Sequence, residues 1–85
     1  MIPRALPSIA SDAIRCGWAV NVHRDGVRTH AYFNRAHGYS GVTVHISWRT
    51  VGVARPVLED HEIDDVPTPY TQCTRLIRSP EGATS

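Results

Sequence analysis

From Trp18 to Phe33 the chain alternates. Trp18, Val20 and Val22 are separated by Ala19, Asn21 and His23, Asp25-Gly26 interrupts the run, and then Thr29, Ala31 and Phe33 interleave with Arg28, His30 and Tyr32. A period of two marks a strand with one buried side, and Asp-Gly between two such runs is a strong hairpin signal. Pairing Arg24 with Val27 sets Trp18 opposite Phe33, Val20 opposite Ala31 and Val22 opposite Thr29 on a core side. A third run, Val42, Val44, Ile46 and Trp48 alternating with Thr43, His45, Ser47 and Arg49, follows a loop over 34–41. The most compact register places Phe33 opposite Val42 and His45 directly beside His30. A slip of one residue would turn a whole strand over, so the two sides are better determined than the register. The expectation is an antiparallel meander with strands about 18–24, 27–34 and 41–50.

The flanking segments are less regular. Pro3 and Pro7 keep the start extended. Ser8 or Ser11 then suits an N-cap for a helix of about 9–16 whose stripe is Ile9, Ala10, Ala13 and Ile14, closed by Gly17. Beyond Arg49 the parity breaks, with Val51 and Val53 apolar around Gly52, which points to a bulge or bend. Pro56 ends any central strand, and the acidic, proline-bounded LEDHEIDDVPTP reads as a linker. Over about 69–78, Thr68 suits an N-cap with Pro69 at the first helical position, and Tyr70, Cys73, Leu76 and Ile77 share a side. The β-prone Thr, Tyr, Cys and Ile keep a strand open there as the alternative to the preferred helix. The expected whole is one small α+β domain over 1–80 with a flexible tail at 81–85. Its third strand is long, apolar and open at its edge, which predicts a homodimer through that strand.

Composition narrows the function classes. The chain has 85 residues and net charge +1, too little charge for strong global steering of nucleic acid or membrane. The charge is unevenly placed: residues 1–58 carry seven Arg against Asp12 and Asp25, or +5, and residues 59–85 carry six acids against Arg75 and Arg78, or −4. Every basic residue is Arg; GC-rich coding bias is the plainer account, selection for planar bidentate guanidinium the functional one. Cys16 and Cys73 form no CxxC pair. No run suits a signal peptide or approaches the ~20 apolar residues of a membrane helix, so a cytoplasmic protein with reduced thiols is expected. A Cys16–Cys73 bond would fit an exported chain. A protein of this size fits an accessory role in a phage or mobile element.

The chemistry lies on the polar side of the meander. Imidazole exchanges protons near neutral pH. His30 and His45, with Arg28 or Arg49 as anion stabiliser, therefore form a candidate catalytic pair for RNA cleavage. A non-enzymatic role asks less: Arg24, Arg28, Tyr32, Arg35 and Arg49 would bind nucleic acid or a protein partner, with Tyr32 or His30 stacking on a base. Arg35, His37 and Tyr39 of the 34–41 loop would extend that surface. Zinc held by His23, His30 and His45 with His61 or Cys73 has no chelating spacing behind it, and no cofactor or metal is implied. The α-β-β-β-(α) order over residues 9–49, with His30 in GVRTH after the turn glycine, resembles HicA-type RNA-cleaving toxins, a fold similar to double-stranded-RNA-binding domains. That resemblance implies a ribonuclease acting through His30. In that family the histidine follows the turn glycine almost at once and the last helix is Lys-rich, whereas here His30 lies four positions after Gly26 and the chain has no Lys. A non-enzymatic binding protein ranks first, an RNA-cleaving enzyme second, and a module dimerising through the third strand third.

Overall fold

The computed structural model describes residues 2–37 and 39–80, without the side chain of His37; the expected tail at 81–85 lies outside the described residues. The order is α1 (Leu6–Arg15), β1 (Ala19–Asp25), β2 (Arg28–His37), β3 (Ser40–Arg49), β4 (Val57–Ile63), β5 (Val66–Pro67) and α2 (Tyr70–Ile77). The five strands form one antiparallel meander in sequence order, with a helix at each end of the chain. The class is α+β as expected, with two more strands than the alternation revealed.

The α1 helix begins three residues earlier than the serines implied. Ala5 is its N-cap and makes no side-chain cap bond, and Pro7 sits in the first turn, where its missing N–H costs nothing. The earlier start changes the buried stripe to Leu6, Ile9 and Ala13, and Ile14, 65 % exposed, turns outward. Gly17 has φ +87, the left-handed conformation that ends the helix.

Strand parity is as expected, but both registers are displaced by two residues. Asp25 pairs with Arg28, so the loop is Gly26-Val27 rather than Asp25-Gly26. Gly26 has φ +62, and Asp64 and Asp65 are the only non-glycine residues with positive φ among those described. A turn with positive φ at its first central position alone is type II′, which asks for glycine there and tolerates Val27 next. Val20 therefore faces Phe33 and Val22 faces Ala31. Beyond them β2 runs on to His37 and β3 starts at Ser40, so Phe33 faces Val44 rather than Val42, and most of the expected 34–41 loop is strand. A shift of two keeps every side chain on its face.

The acidic "linker" is strand. In β4, Ile63 pairs with Val44, His61 with Ile46 and Leu58 with Trp48, all toward the core, while Glu62 and Asp60 pair with His45 and Ser47 on the other side. Asp60 meets Ser47 and Leu58 meets Trp48, which leaves Glu59 as the extra residue of a bulge. Asp64 (φ 49) and Asp65 (φ 65) form a type I′ turn into β5, whose Pro67 lies on an edge strand, where proline is tolerated. The parity break after Arg49 is the reversal that brings β4 back along β3. The third strand is therefore interior, paired on both sides within the chain, and β1 and β5 are the edges. A dimer through an open third-strand edge is thus corrected.

Helix is the outcome over 69–78, with Pro69 as N-cap in place of Thr68. Cys73 and Ile77 of α2 join Leu6, Ile9 and Ala13 of α1 over Phe33, Val44, Ile46 and Trp48. Each large side chain buried there contributes about 1.5–3 kcal/mol. Both helices lie on this one side, and no helix is long and apolar enough to cross a membrane among the described residues.

Candidate functional site

The side of the sheet turned away from the helices carries aligned rows of polar residues. Asp25, Arg28 and Arg49 form the first row, His23, His30, Ser47 and Asp60 the second, and Asn21, Tyr32, His45 and Glu62 the third. Alternation selects these residues, and a meander sets successive strands about 4.8 Å apart, so rings on adjacent strands meet. His23 lies 5.2 Å from His30 and 5.5 Å from Tyr32, centroid to centroid, at interplanar angles of 18° and 2°. Tyr32 lies 4.5 Å from His45, and His30 lies 5.1 Å from His45, at 15° and 14°. The result is a run of nearly parallel rings across β1, β2 and β3.

A hydrogen-bonded chain runs through it. His45 Nδ1 is 2.7 Å from Glu62 Oε1, and His45 Nε2 is 2.9 Å from His30 Nδ1. A carboxylate only accepts, so His45 Nδ1 carries a hydrogen and donates to Glu62. In the neutral pair His45 Nε2 is then the acceptor, His30 Nδ1–H donates to it, and His30 Nε2 is left with its lone pair. Burial, and then the neighbouring His45 and His23, hold His30 below the usual imidazole value of 6.5; Asp25 opposes that effect and Arg28 adds to it.

Of the residues expected to act, His30 and His45 are brought together, diagonally rather than side by side, because His45 faces Tyr32. Arg28 and Arg49 face each other at one end of the ring run. Arg28 Nε donates to Glu59 Oε1 at 2.5 Å, and Arg49 Nε makes a 3.4 Å contact with the Val51 carbonyl. Two residues lie elsewhere. Arg24 pairs with Thr29 on the helix-facing side, at its exposed end. Arg35, 8 % exposed, packs its guanidinium 4.3 Å from the Trp18 ring centroid and donates to the carbonyls of Cys16 and Ser79. It is a structural tie between the ends of the helices. Tyr39 is fully exposed in the β2–β3 turn, and the His37 side chain lies outside the described residues.

Asp60 and Glu62 were missed because the linker reading hid their alternation with His61 and Ile63. Four carboxylates share this side with two arginines: Asp25, Glu59, Asp60 and Glu62. Three are engaged internally, Glu59 by Arg28, Asp60 by Ser47 Oγ at 3.3 Å and Glu62 by His45. No group of three metal-ligating side chains is disposed to hold an ion among the described residues. His61 of β4 and Cys73 of α2 lie on the helix-covered side instead, where His61 Nδ1 donates to the Thr68 carbonyl and burial raises the Cys73 thiol. Both cysteines are thiols. Comparison with protein-family models, with curated proteins and with solved structures gives no match.

Proposed function

We propose that the bare side of the sheet binds single-stranded nucleic acid, with unstacked bases laid against the ring run and the adjoining phosphates met by Arg28 and Arg49. The observation that carries this reading is the succession of four nearly parallel rings, His23 exposed and His30, Tyr32 and His45 half-buried, with a guanidinium pair at its end. Rings on an open sheet favour bases freed from a duplex, since base–aromatic stacking tolerates any sequence. The charge balance points the same way. Two arginines beside four carboxylates would repel the dense phosphates of a duplex, but they suffice for one or two phosphates of a single strand. The layout also departs from the HicA-like expectation, because two further strands extend the sheet and one of them, β4, supplies three of the four acids.

Fluorescence anisotropy with a labelled 2′-O-methyl oligonucleotide, which binds without being cut, tests this. With two phosphate contacts, log K should fall against log salt with a slope of about −1.4, shallow for a nucleic-acid binder. Tyr32→Ala should weaken binding about 5- to 150-fold, equivalent to the loss of one stacked base. Replacing both Arg28 and Arg49 by Ala should flatten the slope. Equal affinity for duplex and single strand, or no binding at low salt, refutes the reading; in the latter case a captured protein partner would claim the surface.

A further inference from the structure

The geometry points to metal-independent RNA transesterification at this surface, with His30 Nε2 as the general base for a ribose 2′-hydroxyl and the His45–Glu62 pair holding His30 in the tautomer that makes it one. The inference rests on the proposed single-strand binding and names its substrate class, a strand containing ribose. Three observations carry it. The chain Glu62–His45–His30 is continuous at 2.7 and 2.9 Å. Its carboxylate end assigns the hydrogens, so the terminal lone pair falls on His30 Nε2, which no hydrogen bond engages among the described residues. All three members are half-buried, the His45 side chain 13 % and Glu62 29 % exposed, so the relay is partly shielded from water within the sheet surface. A tautomer fixed by a half-buried, hydrogen-bonded partner is how an imidazole becomes a directed base rather than a solvated one.

The step balances without another reactant. The 2′-oxygen attacks the adjacent phosphorus as its proton passes to His30 Nε2, and His30 passes its Nδ1 proton to His45 Nε2. Positive charge then rests on His45 against the Glu62 carboxylate. The P–O5′ bond breaks, and the departing 5′-oxygen takes a proton from the imidazolium of His23, whose ring is 5.2 Å from that of His30. The products are a 2′,3′-cyclic phosphate and a 5′-hydroxyl, and solvent resets the protons. Arg28, two residues from His30 on the same side and 46 % exposed, is placed to face the non-bridging oxygens. His30 is thus the catalytic residue, with His45 and Glu62 as positioning residues.

The test uses the full chain and an oligodeoxynucleotide carrying a single ribonucleotide, beside its all-deoxy and 2′-O-methyl counterparts. Cleavage confined to the ribose position and leaving a cyclic phosphate is expected, with His30→Ala slower by at least about 100-fold. Glu62→Gln should slow the reaction and also move the acid limb of the pH–rate profile to lower pH, because the relay loses the carboxylate beside its second proton. The groups facing His30 are His23 and Asp25 from β1, Arg28 and Tyr32 from β2, His45 from β3, and Asp60 and Glu62 from β4. A Glu62→Gln profile lowered everywhere but not moved would mark a purely structural role and overturn the relay. Binding of the 2′-O-methyl strand without cleavage of the ribose strand overturns the chemistry and leaves the binding reading intact; failure of both removes both. Cleavage that survives His30→Ala also overturns it. Melting curves on each variant show whether a loss is a loss of fold, and His30→Gln repeats the test with a neutral side chain of similar reach.

Discussion

Arg35→Met separates a structural arginine from one at the surface. Arg35 is nearly buried and joins three parts of the chain: Trp18 under its plane, the Cys16 carbonyl at 3.0 Å and the Ser79 carbonyl at 2.7 Å. Those carbonyls follow α1 and α2, where each helix presents its negative end. Two charge-assisted bonds and one cation–π contact amount to a gross stabilisation of about 4–7 kcal/mol. Desolvating the guanidinium offsets part of this, a cost Met does not incur, but Met also leaves both carbonyls without their donor. The net expected loss is about 2–4 kcal/mol, a melting temperature lower by about 10–25 °C for a domain of this size. Arg28→Met is the matched control. Its side chain is 46 % exposed and its ion pair with Glu59 lies at the surface, so its effect should stay within about 0.5 kcal/mol. Urea titrations followed by tryptophan fluorescence measure both, since Trp18 stacks on Arg35. Equal effects, or a larger one at Arg28, would refute the assignment of Arg35 to the fold rather than to a ligand.

Two further outcomes follow from the same geometry. Asp65→Gly should raise stability by about 0.5–1 kcal/mol in thermal melting, because Asp65 holds φ 65 in a type I′ turn that favours glycine at its second position; Asp64 is left alone because its carboxylate accepts from the Thr43 N–H. For His30, a folded-state pKa below 6.5 means that the unfolded chain takes up the proton first, so its share of stability is complete above pH 6.5 and is lost as pH falls through the depressed folded value. Urea midpoints measured from pH 7.5 to pH 5 should therefore decline, and His30→Gln should decline less; parallel declines would refute the burial of neutral His30.

Sidedness was legible in the sequence and depth was not. Val44, Ile46 and Phe33 on one side and His30, His45 and Arg49 on the other follow from parity, which survives a displacement of two. The register depends on the turn, and Asp25-Gly26 admits two turn types. Burial against the helices favours the longer overlap, in which Gly26 alone takes positive φ. Arg35 was misplaced for a related reason. An arginine beyond an apolar run looks like the end of a strand, and only the third dimension shows that two carbonyls and an indole await it. The acidic segment was hidden by Glu59: one bulged residue splits the alternation of Leu58 from that of Asp60-His61-Glu62-Ile63, leaving a four-residue pattern between prolines.

That bulge has chemical consequences for the site. Three strands are enough to bring two imidazoles within 2.9 Å, but an isolated imidazole pair has two equivalent ways to arrange its hydrogens, one pointing a lone pair outward and one pointing it inward. The fourth strand breaks the symmetry. With Glu59 extruded toward Arg28, Asp60 and Glu62 fall on the same side as His30 and His45, and Glu62 lands opposite His45. Were Glu59 paired in the ladder instead of bulged out of it, the phase set by Leu58 against Trp48 would turn those acids toward the helices and carry His61 and Ile63 to the outside. The direction of the hydrogen-bonded chain, and with it the basicity of His30 Nε2, thus depends on Glu59 being bulged out of the β4 ladder rather than paired in it. Deleting Glu59 should therefore abolish the bulge and the ion pair with Arg28 yet leave Glu62 opposite His45.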